Sequence, residues 1–326
     1  MRIVITGGAG FLGRKLCNAI LERGRLTDAR GALRDVREIV LVDIASAPAS
    51  TGSRVQSIAG DLADAQLVDR VFGTPVDSVF HLAAVVSGEA EQNFDLGWRV
   101  NVDATRVWLE ACRRQPQPPK FVFTSSVAVF GGDLPDVVPD DQQLTPQSSY
   151  GAQKAVGEML VHDYTRKGFI DGRSLRLPTV SVRPGKPNKA ASSFASGIVR
   201  EPLNGVDSVC PVPAQTRMWL ISPRAVIANL IVGHEAPAAA FASTRVVNVP
   251  GISVEVGEIV EALRRVAGEE VASRVSWQLD PTIDRIVRTW PRDFEARFGR
   301  TLGMQADRDF DSIVSQYIAD ELPARR

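Results

Sequence analysis

The sequence of 326 residues has few of the residues on which several classes of protein depend. It contains three cysteines, Cys17, Cys112 and Cys210, which are far apart and odd in number. A disulfide framework or a zinc site needs paired or clustered cysteines, so neither is expected. The sequence predicts no metal site, and the isolated thiols fit a reducing compartment.

Net charge and long apolar runs are lacking as well. The 38 basic and 38 acidic residues cancel, so we expect no binding to nucleic acid or to a membrane surface. No apolar stretch is long enough to span a bilayer, and a strand predicted from the second residue leaves no room for a signal peptide. We therefore expect a cytoplasmic protein, whose length allows one large domain or two fused ones.

What the sequence does contain is a dinucleotide-binding pattern at its beginning. A β-branched run at residues 3–5 predicts a buried strand, which passes directly into three spaced glycines and then into a helix. Glycine lets backbone N–H groups approach a ligand closely, and the positive end of the helix dipole points at the same place. The pattern therefore predicts a site for a dinucleotide pyrophosphate. The residues expected to contact it are Gly7, Gly10, Phe11 and Leu12.

Acidic and small residues follow the next three predicted strands. Asp43 ends the strand at 39–42, where a carboxylate can accept both ribose hydroxyls and would repel a 2′-phosphate. This predicts NAD rather than NADP, with an acidic turn residue as the alternative. Asp61 would bond the adenine amino group while Leu62 covers the ring, although a helix cap explains Asp61 equally well. Ala83 lies among small residues that leave space for a ligand at the carboxyl edge of the sheet.

A tyrosine and a lysine four residues apart are candidate catalytic residues. Tyr150 and Lys154 lie on one face of a predicted helix, where the ammonium group can stabilise the phenolate of a side chain whose pKa is ordinarily near 10. Ser126, at the end of the preceding strand, can hold a substrate hydroxyl. Asn101 lies in a long helix predicted over residues 94–114, where a solvated or locally bonded side chain is the alternative to a functional one.

Taken together, these motifs resemble the extended short-chain dehydrogenase/reductase family, which contains nucleotide-sugar epimerases and dehydratases. The motifs are Thr6-Gly-Gly-Ala-Gly-Phe-Leu-Gly13, His81-Leu-Ala-Ala84, Asn101, Thr124-Ser-Ser126 and Tyr150-xxx-Lys154. The resemblance implies an α/β fold of the Rossmann type, doubly wound, with a seven-stranded parallel sheet and a smaller C-terminal α/β lobe that binds substrate. We place the NAD-binding domain at residues 1–176 and the mainly substrate-binding lobe at 177–326, part of which returns to the sheet.

The resemblance also implies roles for individual residues. The implied catalytic residues are Ser126, Tyr150, Lys154 and Asn101. Asn101 would support a proton-relay water. Tyr150 and Lys154 would also contact the cofactor, Lys154 through the nicotinamide ribose. The backbone near Pro178 and Thr179 would contact the carboxamide. Members of the family are usually dimers, so a homodimer is expected.

Two departures from the family pattern argue against a nucleotide-sugar substrate. The segment 177–185 lacks the asparagine that usually holds the sugar diphosphate, and residues 217–224 lack the pattern that usually follows the late arginine. Arg183 and Arg217 remain, and a planar guanidinium suits a carboxylate held by two hydrogen bonds. For each of these arginines, a surface side chain paired with an acid is the alternative.

Further stretches resemble D-erythronate dehydrogenases, a group that oxidises a sugar acid at C2 to a 2-keto acid with NAD. These stretches are residues 81–98, 177–188 and 290–294. The resemblance implies that Tyr150 takes the C2 hydroxyl proton while a hydride passes to NAD, and that Ser126 bonds the developing carbonyl oxygen. Ser87 and Gly88 would contact the other hydroxyls, and an arginine would bind the carboxylate. The alternatives are a nucleotide-sugar epimerase or dehydratase and a non-catalytic NAD-binding sensor.

Overall fold

The computed structural model describes residues 1–47, 52–185, 190–241, 243 and 245–322. The chain forms two compact units, each assembled from three segments. The first unit comprises Met1–Ser126, Ser148–Arg176 and Ile227–Val247, and the second comprises Val127–Gln147, Leu177–Val226 and Asn248–Arg326. Residues 186–188, the end of one stretch that resembles D-erythronate dehydrogenases, lie outside the described residues.

A seven-stranded parallel sheet forms the centre of the first unit, which confirms the predicted fold class. In spatial order its strands are β12 (Val246–Asn248), β8 (Asp171–Leu177), β7 (Lys120–Ser126), β6 (Ser78–His81), β1 (Arg2–Thr6), β4 (Glu38–Asp43) and β5 (Val55–Ala59). The chain moves outward from β1 to β5 and then returns to place β6 on the other side of β1. This reversal beside β1 is the switch point at which doubly wound sheets bind ligands.

Helices cover the sheet of the first unit. They are α1 (Phe11–Arg23), α2 (Ala65–Phe72), α3 (Ser87–Gln92), α4 (Phe94–Trp98), α5 (Ala104–Arg113), α6 (Ser149–Arg166) and most of α8 (Pro223–Glu235). Val4 in β1 and Val79 in β6 are fully buried, and they share an apolar cluster with Trp108 of α5. A strand covered on both faces is apolar along its whole length, which is why residues 3–5 form an unbroken β-branched run.

The helix predicted over residues 94–114 is interrupted. A π-helical turn, Arg99–Asp103, separates α4 from α5, and Asn93 caps α4 by accepting a hydrogen bond of 3.1 Å from the Leu96 N–H. Residues 87–92 form a further helix, α3, instead of an open segment after β6. A hairpin that the sequence did not predict, β2 (Arg25–Thr27) and β3 (Leu33–Asp35), follows α1.

The second unit contains two small sheets and several helices. Its strands are β9 (Thr179–Val180), β10 (Ser208–Cys210), β11 (Arg217–Ile221), β13 (Ile252–Glu255) and β14 (Val275–Trp277). Its helices are α7 (Phe194–Leu203), α9 (Val256–Ala267), α10 (Glu269–Ala272), α11 (Pro281–Val287), α12 (Arg297–Thr301) and α13 (Phe310–Glu321). The apolar faces of α9 and α13 share one buried cluster. Within the described ranges, no helix is long and apolar enough to cross a membrane.

Candidate active site

The glycine loop is packed so closely that side chains do not fit. Gly7 has φ +70°, and a Cβ added to it would lie 2.9 Å from the backbone nitrogen of Ala83, just beyond β6. A Cβ added to Gly13 would lie 2.3 Å from the Gly7 carbonyl oxygen. The missing side chains therefore let the loop lie directly on the end of β6 and on the first turn of α1.

This loop leads into the N-terminus of α1, which suits an anionic group. Gly10 is the N-cap, and the first turn of α1, which the structure describes completely, begins with Phe11 and Leu12 and contains no acidic side chain. The first N–H groups of a helix have no partner within it, and the helix dipole adds positive potential there. The charge of this helix end therefore suits a pyrophosphate, and its contacts with the predicted residues stay predictions.

Asp43 is at the end of β4 and is tied to the same loop. Its Oδ2 accepts a hydrogen bond of 3.0 Å from the Ala9 N–H, and its Oδ1 accepts one of 2.7 Å from the Ile44 N–H. A carboxylate has about four lone-pair sites, so both oxygens retain acceptor capacity for ribose hydroxyls. Asp43 thus also anchors the glycine loop, a role that the sequence pattern did not reveal.

Asp61 and Leu62 have partners within the first unit. Asp61 forms an ion pair with Arg99 of the π-helical turn. The N-cap of α2 is Asp64 and not Asp61, so the explanation of Asp61 as a helix cap was wrong. Leu62 is buried in the apolar cluster beside the sheet, and its carbonyl accepts a hydrogen bond of 3.1 Å from the Trp108 indole. The adenine contacts assigned to Asp61 and Leu62 stay predictions.

Lys154 lies between the predicted base and the end of β7. Its ammonium nitrogen is 5.6 Å from the centre of the Tyr150 ring, which confirms that the two side chains share a face of α6. The same nitrogen donates a hydrogen bond of 2.8 Å to the carbonyl of Thr124, two residues before Ser126. One buried cation therefore adjoins both the tyrosine and the strand end that carries the serine.

A second buried charge lies one turn further along α6. Burial lowers the pKa of Lys154 to about 7, and the nearby carboxylate of Glu158 opposes this shift. Glu158 is fully buried and accepts two hydrogen bonds, of 2.8 and 2.7 Å, from the Arg176 guanidinium and one of 2.5 Å from the Ser125 hydroxyl. The spacing of four residues between Lys154 and Glu158 was a signal in the sequence that these two charges lie close together, but it gave no sign of the Arg176 partner.

Asn101 lies in the π-helical turn and is buried. Its Oδ1 accepts a hydrogen bond of 2.8 Å from the Val85 N–H, and its Nδ2 donates to the Val85 carbonyl at 3.1 Å and to Gln153 Oε1 at 2.7 Å. These partners are 16 and 52 residues away in the chain, so a solvated or locally bonded asparagine was the wrong alternative. Ser87 and Gly88 begin α3 just after Val85, so Asn101 fixes the backbone that leads into them.

A buried chain of hydrogen bonds joins Asn101 to the strand before the glycine loop. Thr105 Oγ1 donates to the Asn101 carbonyl at 2.8 Å, so it accepts from His81 Nε2 at 3.1 Å. His81 Nδ1 is then the acceptor for the Thr6 hydroxyl, which lies 2.9 Å away. Burial, with the neighbouring charge of Lys154 as a second cause, lowers the pKa of His81 to about 3. The imidazole is therefore neutral at physiological pH.

The remaining predicted residues belong to the second unit. Thr179, which follows Pro178, pairs through β9 with β11. Arg217 is exposed, donates a hydrogen bond of 2.8 Å to the Ser253 hydroxyl and lies 3.6 Å from the Asp293 carboxylate. Arg217 therefore has the acidic surface partner that was the alternative to substrate binding.

Arg183 has a different environment within the same unit. Its N–H donates to the Ser196 hydroxyl at 3.0 Å, and its carbonyl accepts from the Arg200 guanidinium at 2.8 Å. Its own guanidinium donates to the Ser192 hydroxyl at 3.3 Å. The backbone of Arg183 is thus fixed at both polar groups, and its side chain begins from a defined position.

The first unit combines a doubly wound parallel sheet, a glycine loop at the switch point of this sheet and a tyrosine beside a buried lysine. Together these features define a dinucleotide-dependent oxidoreductase. The sequence model of the NAD dependent epimerase/dehydratase family matches residues 3–220, and the chain belongs to this family. Family membership confirms the predicted family and its cofactor, NAD.

Three similar proteins illustrate the range of the family. The chain is 52% identical over 320 residues to a D-erythronate dehydrogenase of Cupriavidus necator, covering 98% of both chains. It is 41% identical over 319 residues to a D-erythronate dehydrogenase of Haemophilus influenzae, covering 98% of this chain and 99% of the relative. A crystal structure described as a nucleoside-diphosphate-sugar epimerase from Agrobacterium tumefaciens is 42% identical, with a TM-score of 0.92 over 99% of this chain and 94% of its own.

Proposed function

We propose that this protein oxidises the C2 hydroxyl of a small sugar acid, with D-erythronate as the best candidate and 2-oxo-tetronate as the product. The observation that carries the proposed reaction is the position of Lys154. Its ammonium lies beside Tyr150 and donates a hydrogen bond to the carbonyl of Thr124, two residues before Ser126. The choice of substrate is supported by two relatives named D-erythronate dehydrogenase that match practically the whole chain.

The proposed chemistry assigns one task to each side chain. Tyr150 takes the proton of the C2 hydroxyl, and the Lys154 ammonium stabilises the phenolate before this transfer. Ser126 donates a hydrogen bond to the C2 oxygen as it becomes a carbonyl oxygen. The chemistry that NAD supplies when bound is acceptance of the C2 hydrogen as hydride, so the alcohol loses one proton and one hydride and becomes a ketone.

The proton must then leave Tyr150. Lys154 is suited to this relay, because with a pKa lowered to about 7 its ammonium can first give a proton to water and then take the proton from Tyr150. Asn101 would support the water that takes the proton from Lys154. The two hydrogen bonds between Asn101 and Val85 hold the π-helical turn in a fixed position for this task.

Recognition of the acid needs a cation for the carboxylate and polar groups for the hydroxyls. We propose Arg183 as the carboxylate ligand, because Arg217 is engaged with Asp293 and Ser253. Ser87 and Gly88 would contact the hydroxyls. Losing a charge-assisted hydrogen bond costs about 1.5–3 kcal/mol, so Arg183→Ala should raise the Michaelis constant for the acid strongly. Arg217→Ala is the matched control, and an equal effect in both variants would remove the assignment.

The direct test is NADH formation by the purified protein with NAD and a panel of sugar acids. UDP-glucose and UDP-galactose are included in parallel. A rise in NADH with D-erythronate or a close relative supports the proposal. Interconversion of sugar nucleotides without net NADH would instead support the alternative activity, an epimerase or dehydratase, which the structure described as a nucleoside-diphosphate-sugar epimerase favours.

A Tyr150→Phe variant separates catalysis from NAD binding. Removing the phenolic oxygen should abolish turnover while NAD affinity persists. A biological effect that survives in this variant would support the sensor alternative. The homodimer and the cytoplasmic location stay predictions, and sedimentation equilibrium of the purified chain tests the first.

A further inference from the structure

The amide of Gln153 occupies an unusual place between the two residues proposed for proton transfer. Gln153 lies on α6 between Tyr150 and Lys154, is fully buried, and accepts a hydrogen bond of 2.7 Å from Asn101 Nδ2. The orientation of the Asn101 amide is fixed independently, because its oxygen faces the Val85 N–H and its nitrogen faces the Val85 carbonyl. The atom that Gln153 turns toward Asn101 is therefore its oxygen.

Two features that oppose stability accompany this contact. Gln153 Nε2 has no hydrogen-bond partner among the residues that the structure describes, and a buried donor without a partner destabilises the fold. Gly97, inside α4, faces the same amide, and a Cβ added there would lie 2.6 Å from Gln153 Nε2. A glycine inside a helix is less favourable than an alanine. An unpaired donor and a helical glycine, both unfavourable in themselves, thus accompany the hydrogen bond between Asn101 and Gln153.

We propose that Gln153 is a positioning residue, which holds Asn101 and, through it, the backbone of Val85 in register with Tyr150 and Lys154. This inference rests on the proposed function, since it concerns the group that Asn101 serves there. The hydrogen bond joins the π-helical turn to α6, and the two hydrogen bonds between Asn101 and Val85 extend the connection to the segment that leads to Ser87. Rigid connections of this kind keep reacting groups aligned.

The first test replaces the amide with an apolar side chain of similar length. Gln153→Met removes the acceptor for Asn101, while Gln66→Met changes an exposed glutamine on α2 and is the control. A displacement of about 1 Å can cost as much as 10²-fold in rate, so we expect kcat for the sugar acid to fall about 10- to 100-fold in the first variant. The dissociation constant for NAD should change much less than kcat, because among the described residues no hydrogen bond joins Gln153 directly to the glycine loop or to Asp43. Hydrogen exchange at the Val85 amide should become faster.

The second test uses Gly97. Gly97→Ala pushes a methyl group into the Gln153 amide and should reproduce the loss of kcat with a much smaller effect on NAD affinity. In the Gly97→Ala/Gln153→Ala double variant the obstructing amide is gone. The loss of kcat in this variant should therefore be much smaller than the sum of the losses caused by Gly97→Ala and Gln153→Ala alone. If Gln153→Met does not fold, Gly97→Ala, which retains Gln153, becomes the deciding variant.

Wild-type kcat and unchanged Val85 exchange in the deciding variant would overturn the proposal, and so would strict additivity. The failure of the proposed function looks different. In that case the wild type oxidises no sugar acid, yet Val85 exchange still reports whether Gln153 holds Asn101 in place.

Discussion

Lys154 donates a buried hydrogen bond of 2.8 Å to the carbonyl of Thr124, and its ammonium nitrogen lies 4.8 Å from the centre of the Phe123 ring. Burial lowers its pKa from 10.5 to about 7. Between these values the unfolded chain binds a proton at Lys154 that the folded chain does not bind. The contribution of Lys154 to stability therefore rises as the pH increases from about 7 toward 10.

The prediction is that wild-type protein gains stability relative to Lys154→Met as the pH rises through this interval. Urea unfolding at pH about 6 and about 9 measures the difference. Lys120, whose pKa burial lowers to about 8, titrates in the same interval in both proteins and cancels in the comparison. Lys167→Met, at the exposed end of α6, is the control, and parallel stability curves for wild type and Lys154→Met would contradict the prediction.

Asp43 should determine both the affinity for NAD and the preference over NADP. Asp43→Ala removes a charged acceptor for ribose hydroxyls and releases the Ala9 N–H of the glycine loop. Hydrogen bonds to charged groups are worth about 1.5–3 kcal/mol, and binding of NAD measured by calorimetry should weaken by this amount while discrimination against NADP declines. Asp69→Ala, which breaks an exposed pair with Arg114, should leave NAD binding unchanged. Unaltered NAD affinity in Asp43→Ala would remove Asp43 from the cofactor site.

Gly13 should tolerate no side chain. In Gly13→Ala the new Cβ lies 2.3 Å from the Gly7 carbonyl oxygen and 2.8 Å from the Gly8 Cα, both of them backbone atoms that cannot rotate away. Overpacking costs about 1–3 kcal/mol, so we expect a lower free energy of unfolding and weaker NAD binding. In Gly52→Ala the Cβ has no described atom within 4 Å, and the expected change is below about 0.5 kcal/mol. Equal stability of the two variants would show that the loop is less closely packed than described.

His81 should make the protein sensitive to acid. Its pKa is about 3 in the folded chain against an ordinary value of 6.5. Below pH 6.5 the unfolded state takes up a proton that the folded state does not, so stability is lost as the pH falls from 6.5 toward 3. His81→Gln should show a shallower loss in urea unfolding over this interval, although its stability at pH 7 is lower because two buried hydrogen bonds are disturbed. His162→Gln is the control, and identical slopes for wild type and His81→Gln would refute the assignment.

Features with local causes could be read from the sequence. The strand before Gly7, the turn at Gly10 and the shared face of Tyr150 and Lys154 depend on spacings of a few residues, and the structure confirms these elements. The environment of Asn101 could not be read in this way. Its partners come from other elements, and the π-helical turn that presents it has no pattern distinct from that of an α-helix.

The same reason applies to the charged groups. Glu158 is paired with Arg176 on a different element, and Arg217 is paired with Asp293, which is distant in the chain. Periodicity predicts which face of a helix is apolar, but it does not say which charge from elsewhere in the chain will reach that face. The sequence therefore predicted the candidate side chains better than the buried partners that orient them.

The place of β12 in the sheet constrains the order in which the first unit can be completed. This strand neighbours β8, yet it follows β8 in the chain by some seventy residues that include a whole segment of the second unit. During synthesis, the backbone N–H and C=O groups on one edge of β8 stay unpaired with β12 until residues 246–248 have left the ribosome. A fragment that stops at residue 176 would retain that open edge permanently, and open edges recruit strands from other molecules. The first unit is thus completed only when residues 246–248 arrive, from beyond the segment of the second unit that interrupts it.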